Sequence, residues 1–244
     1  MKARSDGFVV LVPTPWQGPE EHLFLEAYEE YWQEPVGANF SDPDGAELTV
    51  NGQSVRLHID AALPELAEFA STALEPFGAS DQALLQQHTS IWRLVAEGGR
   101  DSAEALLKVV GALVIAGASG AFLPNTRRLH SPRSIRHFTM ELNAENLTNF
   151  FVGAYDRNDW MRTRGLTAFG LPEVETPTTS GINAAYFRLM DIAAAMLDQR
   201  SPFPTSSRIQ LGPSLFSLVE GPRGPEDDDI PVNGLHGVIS LMPI

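Results

Sequence analysis

The period of the apolar residues changes along this chain, and each change marks an element. Residues 7–12, Gly-Phe-Val-Val-Leu-Val, form an unbroken apolar run that stops at Pro13 and Pro15, which predicts a strand in the middle of a sheet. From Pro19 the spacing becomes helical. Leu23, Phe24, Ala27, Tyr28 and Tyr31 recur on one face, Glu20 and Glu21 fall in a first turn that favours negative charge, and Pro35 and Gly37 end the segment. The other side of this helix carries Glu26, Glu30 and Glu34 in an i, i+4, i+8 row with Glu29 beside it, so like charges stack at a small cost in helix stability.

Asn51-Gly52 separates residues 47–50 from 53–60 and predicts a tight hairpin, because both turn positions tolerate positive φ. In the second strand Val55, Leu57 and Ile59 alternate with Arg56, His58 and Asp60, giving one apolar and one polar face. Pro64 opens a helix through Leu66, Phe69, Ala70, Ala73 and Leu74 that Pro76 and Gly78 stop. Ser80-Asp81 caps a short segment running to His88, residues 89–96 read as a strand, and Ser102 as N-cap leads into a helix over 103–115.

In the second half, the aromatic and β-branched run 150–155 predicts a strand, the polar break 156–159 a hairpin turn, and 160–164 the returning strand. Gly165 and Gly170 allow sharp bends before Pro172. Thr179-Ser180 offers caps before Gly181 for a helix with Ala185, Leu189, Ile192, Ala193 and Met196 on its inner face, ended by Ser201-Pro202-Phe203-Pro204. Short strands follow at 208–211, 214–219 and 237–242, separated by a Pro/Gly loop at 221–231. That loop holds Glu226, Asp227, Asp228 and Asp229, whose spacing lacks the alternating oxygen ligands and distal Glu of a calcium loop and reads as solvated charge. The succession predicts an α+β fold, with antiparallel or mixed sheets and helices packed on one face. Two similar-sized halves, residues 1–122 and 123–244, share a core or form one continuous domain.

Thr163-Arg164-Gly165-Leu166, followed by Phe169-Gly170 and Pro172-Glu173-Val174-Glu175, resembles the core of the domain-of-unknown-function family 4261. In that family a strand, a Gly-Leu or Gly-Met step, an aromatic-Gly pair and a Pro-Glu-hydrophobic-Glu exit recur. The resemblance covers residues from about 147 onward, and the hydrophobic layout of the first half more loosely. It implies no catalytic residue and no chemistry.

Composition narrows the classes of function. At 244 residues and 43% hydrophobic content the chain is long enough to bury a sizeable core. Its longest apolar run, 109–118, is interrupted by Gly111 and Gly117 and falls short of the roughly 20 residues a membrane helix needs, so no membrane partner is expected. The residues after Met1 do not follow the pattern of a signal peptide. Absence of cysteine excludes disulfides, thiol nucleophiles and Cys-ligated zinc, and fits a reducing cytoplasm. The net charge of −14 disfavours nucleic acid and favours a basic protein partner. Residues 1–122 hold 18 acids against 6 bases, while 123–244 hold 13 against 11, so the acidity belongs to the first half. Solubility alone is the competing explanation.

Candidate chemistry is sparse. Gly117-Ala118-Ser119-Gly120-Ala121 falls one residue short of a nucleophile elbow. His58-x-Asp60 on a polar strand face, with His88 elsewhere, is the best metal or acid/base constellation, but a metal site needs three or four convergent ligands and only the first two share a face. Arg127, Arg128, His130, Arg133, Arg136 and His137 make one basic island, which either holds an anionic ligand or, as we expect, lies against the acidic half. No catalytic residue, metal ligand or cofactor is therefore assigned. The residues expected to bind a partner are Glu26, Glu29, Glu30 and Glu34, in an acidic protein-binding domain that would act as an immunity protein against a cationic toxin or effector. The alternatives are a hydrolase or metal-dependent enzyme, and a scaffold or small-ligand binding protein.

Overall fold

The computed structural model describes residues 7–16, 20–42, 45–70, 73, 77–224 and 236–244. The fold is α+β, and the chain divides into two compact units, Gly7–Leu142 and Asn143–Ile244.

In the first unit the elements are β1 (Phe8–Thr14), α1 (Glu21–Trp32), β2 (Gly37–Asp42), β3 (Gly45–Val50), β4 (Gln53–Ala61), α2 (Leu66–Phe69), α3 (Ala79–Gln86), β5 (Ser90–Ala96), α4 (Arg100–Ile115), β6 (Ala121–Leu123), β7 (Arg128–His130) and α5 (Pro132–Met140). The strands form one sheet in the order β2-β3-β4-β5-β1-β6-β7, with antiparallel pairing throughout. Residues paired directly across antiparallel strands share a face. Val10, Leu94 and Leu57 therefore line up on one side, as do Val12, Trp92 and Ile59. The long helices α1 and α4 cover this side, Phe24 of α1 packing 6.5 Å from Trp92 between ring centroids. Burying each of these large apolar side chains contributes about 1.5–3 kcal/mol. Leu11, Ile91, Phe122 and Leu129 point to the opposite side, where the short α2 and α3 supply Leu66 and Leu85 to a second, smaller core. β6 and β7 extend the first sheet and α5 packs on α4, which is why the division falls after Leu142 and not after 122.

The Asn51-Gly52 hairpin forms as expected: φ is 50° at Asn51 and 77° at Gly52, and Val50 pairs with Gln53. Four helix boundaries differ, one of them in α3, where Gly78 and not Ser80-Asp81 stands at the N-cap and the helix ends at Gln86 before His88. α1 ends at Trp32 because Gln33 turns left-handed (φ 53°), before Pro35 is reached. The helix expected from Pro64 is only the four residues of α2, with 71–72 and 74–76 outside the described residues. Ser102 lies inside α4, not at its start. Gly99 (φ 111°) caps the helix, while Ser102 Oγ donates to the Gln53 side chain at 3.0 Å.

The second unit comprises α6 (Ala144–Phe151), β8 (Gly153–Arg157), β9 (Trp160–Arg164), a 3-10 turn (Leu166–Phe169), β10 (Glu173–Pro177), α7 (Ile182–Gln199), β11 (Arg208–Leu211), β12 (Ser214–Glu220) and β13 (Val238–Pro243). The sheet order is β11-β12-β13-β10-β9-β8; β10 and β13 run parallel and the remaining neighbours antiparallel. The hairpin between β8 and β9 turns on Asn158 and Asp159, both at positive φ (45° and 68°). Phe150 and Phe151, expected in a strand, instead close α6: the Asn143 side chain accepts from Asn146 N at 2.9 Å, and Leu147, Phe150 and Phe151 share the buried face at helical spacing. α7 buries Ala185, Leu189, Ile192, Ala193 and Met196, and its N-cap is Gly181 (φ 98°), not Thr179 or Ser180. Residues 226–229 lie outside the described residues.

Candidate functional site

Glu26, Glu29 and Glu30 are exposed on the outer side of α1. Glu34 is not part of that face. The left-handed Gln33 swings it off the helix, and it is half-buried. Its carboxylate accepts from Tyr28 Oη at 2.7 Å and from Lys108 Nζ, whose side chain is only 10% exposed. The Lys108 ammonium also lies 5.1 Å from the centroid of the Trp32 ring, and Trp32 Nε1 donates to the Lys108 carbonyl at 3.1 Å. Burial pushes the Glu34 carboxyl up, but the hydrogen bonds from Lys108 and Tyr28 outweigh it and hold the group below its ordinary value. Burial, together with donation to Glu34, drives the Tyr28 hydroxyl far above its usual range. Glu34 therefore fastens the end of α1 to α4, and the exposed row is Glu26, Glu29 and Glu30. The unit around it, Gly7–Leu142, holds 18 acids and 8 bases, against 12 and 7 in Asn143–Ile244.

The basic island does not neutralise this row. Arg127, Arg133, Arg136 and His137 are exposed, and among the described residues Arg127, Arg133 and Arg136 form no ion pair, while Arg128 is half-buried. His130 is buried, edge-on to Phe138 at 5.4 Å between centroids.

The metal or acid/base constellation separates. Asp60 is taken by Arg93 through contacts of 2.7 and 3.3 Å. His88 is buried, its Nε2 accepting from Leu63 N at 2.9 Å and its Nδ1 donating to Leu85 O at 2.5 Å. Among the described residues no three His, Asp or Glu side chains converge on a metal position. Ser119 is 2% exposed, and its hydroxyl donates to Pro13 O at 3.2 Å, so it presents no nucleophile.

A second polar site, unassigned from sequence, lies on β10. Glu175 is fully buried. Its Oε2 accepts from Arg162 Nε at 2.9 Å and Nη2 at 2.6 Å. Its Oε1 accepts from Gly224 N at 3.0 Å, from Arg223 N, and from Ser240 Oγ at 2.6 Å. Ser240 Oγ also stands 2.8 Å from Gly221 O. Burial raises the Glu175 carboxyl, but these donors outweigh it and hold the group below its ordinary value. Two residues earlier on the same face, Glu173 accepts from Thr163 Oγ1 at 2.7 Å, Gly165 N at 2.9 Å and Thr167 N at 3.3 Å. There burial prevails and the carboxyl is pushed up. Glu173 thus fixes the turn that begins at Gly165, and Glu175 fixes the 221–224 segment. Arg162 stands directly across from Glu175 on the neighbouring strand, so opposite charges in paired registers of β9 and β10 are the signal that would have found this ion pair.

The segment held by Glu175 forms one wall of a cavity of about 600 Å³ inside this unit. Pro172, Pro202, Phe203, Pro204 and Pro222 supply rings around it, and Glu220 and His236 its ionisable side chains. Comparison of the chain with protein-family models, curated proteins and solved structures finds no match.

Proposed function

We propose that the chain is an acidic protein-binding domain that captures a basic protein partner through the outer side of α1, in the manner of an immunity protein neutralising a cationic toxin or effector in the cytoplasm. The observation that carries this reading is the exposure of Glu26, Glu29 and Glu30 on one helix side. Three carboxylates held close together repel one another, so a cationic partner relieves a cost as well as adding attraction. The surrounding unit reinforces the field with its excess of acids over bases. Such a field speeds encounter and rejects acidic competitors. The helix gives the row a rigid base, because Phe24, Ala27 and Tyr28 anchor its inner side in the core. The family resemblance around residues 163–175 lies in the other unit, and we propose membership there without assigning it a part in capture.

The test starts with affinity capture from the native cell and identification of the captured protein by mass spectrometry. Association kinetics then follow for the wild type and for Glu26→Lys combined with Glu30→Lys. The double variant slows association and flattens its dependence on salt, while its unfolding midpoint stays near wild type because exposed charges contribute roughly 0–1 kcal/mol each. Association at the wild-type rate in low salt would remove the α1 row from the reading.

A further inference from the structure

We propose that the cavity in the Asn143–Ile244 unit is a binding site for a small amphipathic cation, an ammonium carried on a ring-sized apolar body. The site is independent of the acidic row on α1. Its volume of about 600 Å³ lies in the range of one small organic ligand, roughly 300–1,000 Å³.

The lining selects the class of ligand. Four proline rings and Phe203 present apolar surface with little rotamer freedom to lose, which suits a flat or cyclic hydrocarbon body. Two features favour positive charge at the polar end. Among the lining residues Glu220 carries a carboxylate, and Phe203 an aromatic ring of the kind whose face attracts a cation. Among the described residues no Lys or Arg lines the cavity, so a carboxylate or phosphate ligand finds no permanent counter-charge from them. His236 adds ring nitrogens that can share a hydrogen bond with the ligand's N–H groups.

Part of the cavity wall rests on strands. Glu220 lies on β12 and Val238 and Ile239 on β13, adjacent strands in which Glu220 pairs with Ile239. Gly221 N donates to Val238 O at 2.9 Å, closing the corner between these strands. The wall at Gly221 and Pro222 is secured from behind by Glu175, which binds the amides of Arg223 and Gly224 and the hydroxyl of Ser240. A buried, ion-paired carboxylate thus positions a solvent-facing wall without reaching the cavity itself. This arrangement lowers the ordering cost that a ligand would otherwise bear.

The probe is 2-(2-naphthyl)ethylammonium, titrated into the full chain and followed through backbone amide resonances, with 2-naphthylethanol and 2-naphthylacetate as neutral and anionic counterparts of similar shape. The ammonium shifts the amides of Gly170, Gly221 and Gly237 in a saturable way, the alcohol binds about fivefold more weakly and the acetate more weakly still. Glu220→Gln removes the advantage of ammonium over alcohol and leaves alcohol binding unchanged, which also shows that the variant folds. Thr205→Trp places a large ring on the exposed lining and weakens all three probes. The proposal is overturned if no probe gives saturable shifts at those glycines, if acetate binds as well as ammonium, or if Glu220→Gln leaves the preference intact.

Discussion

Replacing Glu175 by Gln keeps the side chain's shape and removes its charge, and the hydrogen-bond pattern dictates a large penalty. Every group facing the carboxylate is a donor: Arg162 Nε and Nη2 on Oε2, and Arg223 N, Gly224 N and Ser240 Oγ on Oε1. The amide NH₂ of Gln must point at one of these two sets, and either way donor meets donor. Breaking one partner of a buried ion pair costs about 3–5 kcal/mol. Arg162 retains 14% side-chain exposure and can recover some hydration, which places the expectation at the lower end, about 3 kcal/mol. With a urea m-value of roughly 1.5 kcal/mol/M for a unit of this size, the midpoint falls by about 2 M. Trp160 is the one tryptophan of the Asn143–Ile244 unit, so urea unfolding followed by its fluorescence in a chain with Trp16, Trp32 and Trp92 changed to Phe reads this unit directly. The pH dependence has a definite sign. The folded pKa of Glu175 lies below its unfolded value, so its stabilisation is complete above the unfolded carboxyl pKa, about 4.3, and is lost as pH falls through the folded value. Glu175→Gln loses that acid limb. A loss under about 1 kcal/mol at pH 7 would refute the assignment of Glu175 as the anchor of this segment. Glu175→Leu with Arg162→Met should cost less than the two single changes summed, because no charge is then left buried alone.

Glu34→Gln should destabilise the Gly7–Leu142 unit by about 1–3 kcal/mol by leaving Lys108 without its counter-charge, whereas Glu26→Gln should stay within about 0.5 kcal/mol; urea midpoints separate the two. Gly52→Ala meets no atom within 4 Å but must hold φ at +77°, so thermal unfolding should report a loss of about 1–2 kcal/mol. Gly111→Ala places a Cβ 2.8 Å from Thr139 Cγ2, where α4 meets α5. Overpacking there should offset the roughly 1 kcal/mol gain in helix propensity, and Thr139→Ser, which removes that methyl, should turn the substitution stabilising in a thermal-shift double-mutant cycle.

How legible these features were depended on how local their causes are. The Asn51-Gly52 hairpin, the interior position of β1 and the buried face of α7 follow from neighbouring residues, and each appeared where the pattern put it, although β1 runs through Pro13 to Thr14 instead of stopping there. Phe150 and Phe151 misled because aromatic residues suit strands, while the capping Asn143 and the Leu147 spacing that decide for helix lie upstream. Glu34 looked like the end of a helical row, because nothing local reveals that Lys108, 74 positions later, takes its carboxylate. Glu175 is the extreme case: its partners Arg223, Gly224 and Ser240 lie 48 to 65 positions away, so the Pro-Glu-Val-Glu stretch was visible as a motif but not as an anchor.

The position of β13 in its sheet governs the order in which the second unit can assemble. Val238–Pro243 follows every other strand in sequence yet sits in the interior, parallel to β10 on one side and antiparallel to β12 on the other. Without it the sheet falls into a three-stranded piece, β8 to β10, and an isolated β11–β12 hairpin, which is marginal alone in water. A chain interrupted between residues 220 and 238 therefore exposes two unpaired strand edges, of β10 and of β12, each a template for pairing with another molecule. During synthesis the hairpins form early, but the sheet must wait for its keystone. Pairings of such long sequence separation fold slowly, so this late-arriving strand sets both the folding rate of the unit and its window of risk for aggregation.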